Sequence, residues 1–148
     1  MESVEEFIDR KNRQFIDETE KMQNIRMKDI GRKGKIKFIR EAWTFLPQHN
    51  LAKKVFVFER LRKAEYEGEL ENKDSYKVDD IEYRIGYFII GAIGRTKGKW
   101  VWGQYCPIIP SDDFVPLVQR AMIDKVLLEN DIKSLKAPSP KSVDKRIE

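Results

Sequence analysis

The stretch Gly91 to Pro107, GAIGRTKGKWVWGQYCP, gathers four glycines, three cations, two tryptophans and a tyrosine. Those residue types build both phosphate cradles and stacking platforms. A phosphate-binding loop of the form G-x-x-x-x-G-K-[ST] needs glycine five positions before its final Gly and a hydroxyl after the Lys, because bare backbone approaches the phosphate and the hydroxyl binds Mg²⁺. With Gly98-Lys99 in place, those positions hold Ile93 and Trp100. The chain beyond Lys99 also alternates like a strand instead of opening a helix, so the cradle fails. What survives is a glycine-rich hairpin tip whose Arg95, Lys97 and Lys99 can touch a nucleic-acid backbone without specifying sequence. In the returning strand Trp100, Trp102 and Gln104 share one face and Val101, Gly103 and Tyr105 the other. The two indoles therefore act together, either as core anchors or as a stacking surface for a base or sugar.

A second cationic group lies upstream. Residues 21 to 63 carry thirteen Lys and Arg against three acids, and 84 to 106 carry four cations and no acid. A surface that meets phosphate needs such a distribution, although a well-solvated face has it too. Leu51, Val55, Phe58 and Leu61 form a three-four stripe that predicts a helix over 51–65, with Lys53, Phe56, Arg60 and Lys63 on its opposite side. The β-like run Val55-Phe-Val-Phe58 offers a short strand as the competing reading. The candidate nucleic-acid contacts are Lys53, Arg60, Lys63, Arg95, Lys97, Lys99, Trp100 and Trp102.

Catalytic and metal chemistry is thinly represented. Asp74 followed by Glu82-Tyr83-Arg84 is similar to the D…E-x-K arrangement of metal-dependent nucleases, with Arg in place of the Lys that steadies the attacking water. Arg does not deprotonate, and the acids lie in a charge run that a solvated loop explains. Asp112 and Asp113 are explained first as favourable charges at a helix start. His49 stands in the turn Pro47-Gln-His-Asn50 without a partner in the sequence. Cys106, the one cysteine, excludes an internal disulfide and fits a reducing compartment as a small apolar side chain. No catalytic residue, metal ligand or cofactor is assigned.

The elements that must position these residues follow from periodicity. Ser3-Val-Glu-Glu6 is a capping box that starts a helix. Its stripe Val4, Ile8, Phe15, Met22 and Ile25 is interrupted by Lys11 and Glu18, and the helix is expected to run towards Gly31, with Gly31 to Gly34 as a basic connector. So thin an apolar face packs peripherally or pairs with a second copy. Ile36, Ile39, Trp43 and Leu46 mark a second helix ending at Pro47. Residues 65 to 82, with eight acids, read as a long loop. Ile81 to Ile90 alternates as a strand, Gly91 to Gly98 turns, and Trp100 to Cys106 returns. Ser111-Asp-Asp113 begins a last helix that tolerates Pro116 in its early turns and buries Phe114, Leu117, Val118, Ala121, Met122 and Leu128.

One domain over residues 1–133 suits the 148-residue length, with 134–148 a disordered basic tail. The acidic start lacks a signal-peptide layout and no apolar run nears the ~18 residues of a membrane span, so a soluble cytoplasmic protein with no membrane partner is expected. The two central helices followed by a hairpin have the order of a winged helix-turn-helix, although the acidic connector Glu65 to Asp80 is longer than that fold needs and repels DNA.

Tyr83 to Tyr87, Lys99 to Pro107 and the Pro110-Ser-Asp-Asp-Phe114 helix start together resemble a block in a family of small prokaryotic proteins of unknown function, over about residues 81 to 122. The resemblance implies a hairpin followed by a helix as one unit and brings no activity or ligand with it. The expected fold is α+β, helices packed on a small antiparallel sheet centred on the hairpin of residues 81–106. The expected function is a non-enzymatic module binding DNA or RNA through a basic helix and a cationic hairpin tip. The alternatives are a structural or protein-interaction homodimer paired through the N-terminal helix, and a metal-dependent nuclease.

Overall fold

Every strand pairs antiparallel with the next along the chain, so the sheet is a five-stranded meander in the order β1-β2-β3-β4-β5. The structure is a computed structural model that describes residues 1–28, 34–70 and 73–135. Its elements are α1 (Val4–Glu20), β1 (Asn24–Lys28), β2 (Lys35–Pro47), β3 (Lys54–Lys63), β4 (Ile81–Ile90), β5 (Trp100–Trp102), α2 (Ser111–Ile123) and α3 (Glu129–Lys133). The curled sheet carries α1 on one face and α2 on the other, and the architecture is α+β as expected. Among the described residues no helix is long and apolar enough to cross a membrane.

The largest departure from the sequence reading is β2 and β3, where helices were expected over 36–46 and 51–65. Sheet order explains the error. β3 is central and covered on both sides, with Val55 and Val57 in the α1-side core and Phe56 and Phe58 in the α2-side core. A strand buried on both faces shows a continuous apolar run instead of alternation, and a short run of that kind matches helical spacing by chance. There is consequently no basic recognition helix and no winged helix-turn-helix.

In β2 the cause is a β-bulge, a break in register with β3 between Arg40 and Ala42. The extra residue puts Glu41 and Ala42 on the same side, where Glu41 meets Arg60 and Ala42 joins the α2-side cluster. Arg40, Trp43 and Phe45 all reach the Phe15 ring of α1 on the other side. A bulge converts period two into a mixed spacing that imitates three-four periodicity.

The α1 capping box is present, with Ser3 Oγ accepting from the Glu6 amide at 3.1 Å. The helix stops at Glu20 instead of near Gly31: Met22 takes a left-handed φ of 50°, and the chain enters β1 at once. The connector Gly31 to Gly34 falls, up to residue 33, outside the described residues. Phe15 of the expected stripe and Phe7, which that stripe omitted, are buried against the chain's own sheet with Val4 and Ile8 packed beside them, so this face of α1 is already occupied within one molecule.

β4 and the following turn match the sequence reading, whereas the returning strand is only three residues long. Trp100 and Trp102 do share a face. Trp100 is buried, stacked on Phe7 at 4.6 Å between ring centres, with its N–H donating to the Glu2 carbonyl. Trp102 remains 39% exposed and lies over Gly86, where any Cβ would strike the indole; Gly103 likewise leaves room for the Tyr87 ring.

At α2 the N-cap is Pro110, and Ser111 to Asp113 form the first turn instead of the cap. Leu117 and Ala121 are buried as expected, while Phe114 and Met122 face outward. His49 does have a partner: its Nδ1 lies 2.8 Å from Oδ2 of the buried Asp113, joining the β2–β3 turn to α2. Cys106 is exposed and not a packed apolar group. The tail expected from residue 134 lies, from 136 onward, outside the described residues.

Candidate ligand-binding cleft

On the α1 side of the sheet the apolar core gives way to charge. β3 continues the inward series Val55, Val57 with Glu59, which is fully buried. Its neighbour in register on β4 is Arg84, whose Nε and Nη2 both donate to Glu59 Oε2, at 3.0 and 2.6 Å. From β2 the bulge delivers Arg40, 6% exposed, with Nη2 3.8 Å from Glu59 Oε1 and Nη1 donating to Glu18 Oε2 at 2.8 Å. The Arg40 guanidinium packs on Phe15, with its central carbon 3.5 Å from the ring centre. From α1, Lys11 bonds Gln14 Oε1 at 3.0 Å and stands 5.0 Å from the Phe88 ring centre. Burial, with Arg10 and Arg40 nearby, holds the Lys11 ammonium below the usual lysine range, Glu18 and Glu2 opposing. Trp102 closes one wall, with the Arg84 guanidinium 4.7 Å from its ring centre.

These groups surround a cavity of about 250 Å³, rimmed by Gln14 and by Gln23 to Ile25 at the start of β1. Curling brings the first and last strands of the meander to the two sides of one cleft. Three cations face two carboxylates, an excess of one positive charge, between aromatic walls of Phe15, Phe88 and Trp102. Two buried polar atoms, Arg40 Nε and Glu59 Oε1, have no hydrogen-bond partner among the described residues. Leaving such an atom unsatisfied costs about 1–3 kcal/mol, more when the group is charged.

The residues singled out from the sequence do not converge. Lys53 is exposed before β3 and Lys63 closes the same strand, roughly 30 Å away at about 3.3 Å per residue. Lys63 pairs with Glu82 at 3.0 Å. Arg60 points to the other face, where Nη1 donates to the carbonyls of Lys125 and Val126 and Nε meets Glu41. Arg95, Lys97 and Lys99 are exposed at the hairpin tip and form no ion pair among the described residues. Trp100 is in the core, and Trp102 alone of the eight lines the cleft. Of the nuclease-like acids, Asp74 is exposed and Glu82 is taken by Lys63; among the described residues no cluster of His, Cys, Asp and Glu could hold a metal ion.

The residues that do converge, Lys11, Glu18, Arg40, Glu59 and Arg84, were not candidates. The signal available was the interruption of the α1 stripe by Lys11 and Glu18, together with an acid at the inward position after Val55 and Val57. No protein-family profile, curated protein or solved structure matches the chain.

Proposed function

We propose that the protein is a binding domain for a small organic anion carrying a planar or apolar portion, held in the cleft beneath α1. The observation that carries this reading is the buried Arg40–Glu59–Arg84 cluster, which lines the cavity and holds two polar atoms without hydrogen-bond partners among the described residues. Stability alone does not account for such a cluster, since an apolar replacement of a buried ion pair is often as stable. Arg supplies the planar donor set suited to a carboxylate or phosphate, and the aromatic walls suit a flat or hydrocarbon remainder. An exposed thiol at Cys106 suits a reducing, cytoplasmic setting.

The test is a thermal-shift and calorimetric panel of aromatic and aliphatic carboxylates and phosphates, each beside its neutral amide or alcohol, on wild type and Arg84→Gln. Anions that stabilise wild type, neutral analogues that do not, and a weakened response in the variant support the reading. Equal response to charged and neutral compounds overturns it.

A second reading keeps nucleic acid as a partner through the hairpin tip, supported by the exposed cations Arg95, Lys97 and Lys99 within five positions, which form no ion pair among the described residues. Contact would be with phosphates, and affinity would fall steeply with salt. Binding of mixed duplex and single strands across a salt series, compared with Lys97→Glu/Lys99→Glu, tests it; salt-insensitive binding or an unaffected variant removes it.

A further inference from the structure

The side chain in the cleft with no assigned task is Lys11. Its amine lies beside the Phe88 and Phe15 rings, at 5.0 and 6.0 Å from their centres, and makes no ion pair among the described residues; Gln14 is its hydrogen-bond partner. Arg40 presses on the same Phe15 ring, so two cations share one aromatic surface inside a half-closed space. The carboxylates nearby are engaged elsewhere, Glu18 by Arg40 and Glu59 by Arg84.

We infer that Lys11 is a nucleophilic lysine, and that the cleft takes a carbonyl compound bearing an anionic group and links it to Lys11 Nζ as an imine. The inference rests on the anion-binding reading for the placement of the ligand's charged end against Arg40 and Arg84.

The chemistry is that of a neutral amine. Its nitrogen lone pair adds to the carbonyl carbon and the carbonyl oxygen takes a proton, giving a carbinolamine. That hydroxyl leaves as water after protonation, and the nitrogen loses its remaining proton to leave the imine. One carbonyl compound and one amine become one imine and one water, with no change of oxidation state. A lysine reaches this chemistry near neutral pH when an apolar pocket and neighbouring cations disfavour its ammonium form. Burial and the nearby Arg10 and Arg40 lower the affinity of Lys11 for its proton. The charged groups around it are Glu2, Arg10 and Glu18 from the N-terminal segment and α1, Arg40 from β2, Glu59 from β3 and Arg84 from β4. The acids favour the ammonium; the cations and the burial oppose it.

The experiment treats the full chain with para-carboxybenzaldehyde and cyanoborohydride at neutral pH, which reduces any imine to a stable secondary amine, and maps the adduct by peptide mass spectrometry. In parallel, para-hydroxymethylbenzoate, which has the anion but no carbonyl, is titrated against tryptophan fluorescence. The expected result is several-fold more adduct at Lys11 than at exposed lysines such as Lys53, Lys97 and Lys99, lost in Lys11→Arg and reduced in Arg84→Gln. Labelling that follows exposure alone overturns the inference. Binding of the hydroxymethyl compound without selective Lys11 labelling overturns it while leaving the anion cleft standing. Selective labelling without that binding keeps the reactive lysine and removes the anion reading. Because the wild-type adduct map is itself a readout, the result does not hinge on a variant's folding.

Discussion

The fully buried Glu59 carboxylate receives both Arg84 hydrogen bonds on one oxygen, at 3.0 and 2.6 Å, and leaves its other oxygen 3.8 Å from Arg40. The acid is thus shared unequally between two guanidiniums on the strands flanking its own. Removing it strands Arg84 and leaves Arg40 with Glu18 alone, whereas removing the pair leaves a less charged interior.

The first prediction follows from that asymmetry. Glu59→Gln should lower the urea unfolding free energy by about 3–5 kcal/mol, as removal of one partner from a buried pair does. Glu59→Met/Arg84→Met should recover part of the loss, because two apolar chains of similar volume replace two buried charges. A double variant no better than Glu59→Gln would show that the pair matters through its hydrogen bonds and not through its burial.

Gly86 is the second. A Cβ there meets the Trp102 indole, so Gly86→Ala must displace the ring that walls the cleft. The expected cost is about 1–3 kcal/mol, as for overpacking elsewhere, with a red shift in tryptophan emission. In a Trp102→Phe background, where a smaller ring can yield, both effects should shrink; fluorescence and chemical denaturation check this together.

His49 supplies a pH dependence. Its hydrogen bond to Asp113 raises its proton affinity above the ordinary value of 6.5, with the charges of Asp113 and Asp112 acting in the same direction. A group whose folded value is raised gives its stabilisation fully below the unfolded value and loses it as pH rises through the folded one. The stability advantage of wild type over His49→Gln should therefore be largest below pH 6.5 and fall away above it. His49 is the chain's one histidine, so its imidazole resonance reports the titration without assignment, and Asp113→Asn should return it to the ordinary range.

The bulge in β2 yields the last prediction. Deleting Glu41 alone leaves Arg40, Trp43 and Phe45 together on the α1 side, whereas deleting Glu41 and Ala42 joins Arg40 directly to Trp43, flips one half of the strand and sends either Arg40 or the Trp43 and Phe45 pair to the wrong face. The expected outcome of the two-residue deletion is loss of amide-exchange protection across β1 and β2 and loss of any ligand response, even if β3 to β5 persist. Glu41→Gln, which keeps the residue count, should leave both nearly unchanged. An intact ligand response after the two-residue deletion would mean that the facing of the β2 side chains does not set the cleft.

Some elements were legible because they are local. The α1 capping box, the alternation of β4, the glycine-rich turn and the helix after Pro110 each depend on residues a few positions apart. The hairpin of residues 81–106 carried the same information, and Trp100 and Trp102 do share a face. Even Lys11 and Glu18 announced themselves, as polar breaks in an apolar stripe, though their reading as a weak helix face concealed what they meet.

The sequence by itself determined the alternation of β4, the cap that starts α1, the glycine-rich turn, and that two charges stand in the inward stripe of α1. Tertiary structure decided that residues 35–47 and 54–63 are strands, since burial on both faces and a single bulged residue erase the periodicity that would identify them. It also decided the cleft. Lys11, Arg40, Glu59 and Arg84 come from a helix and three separate strands, and only the curl and pairing of the sheet bring their charges within reach of one another.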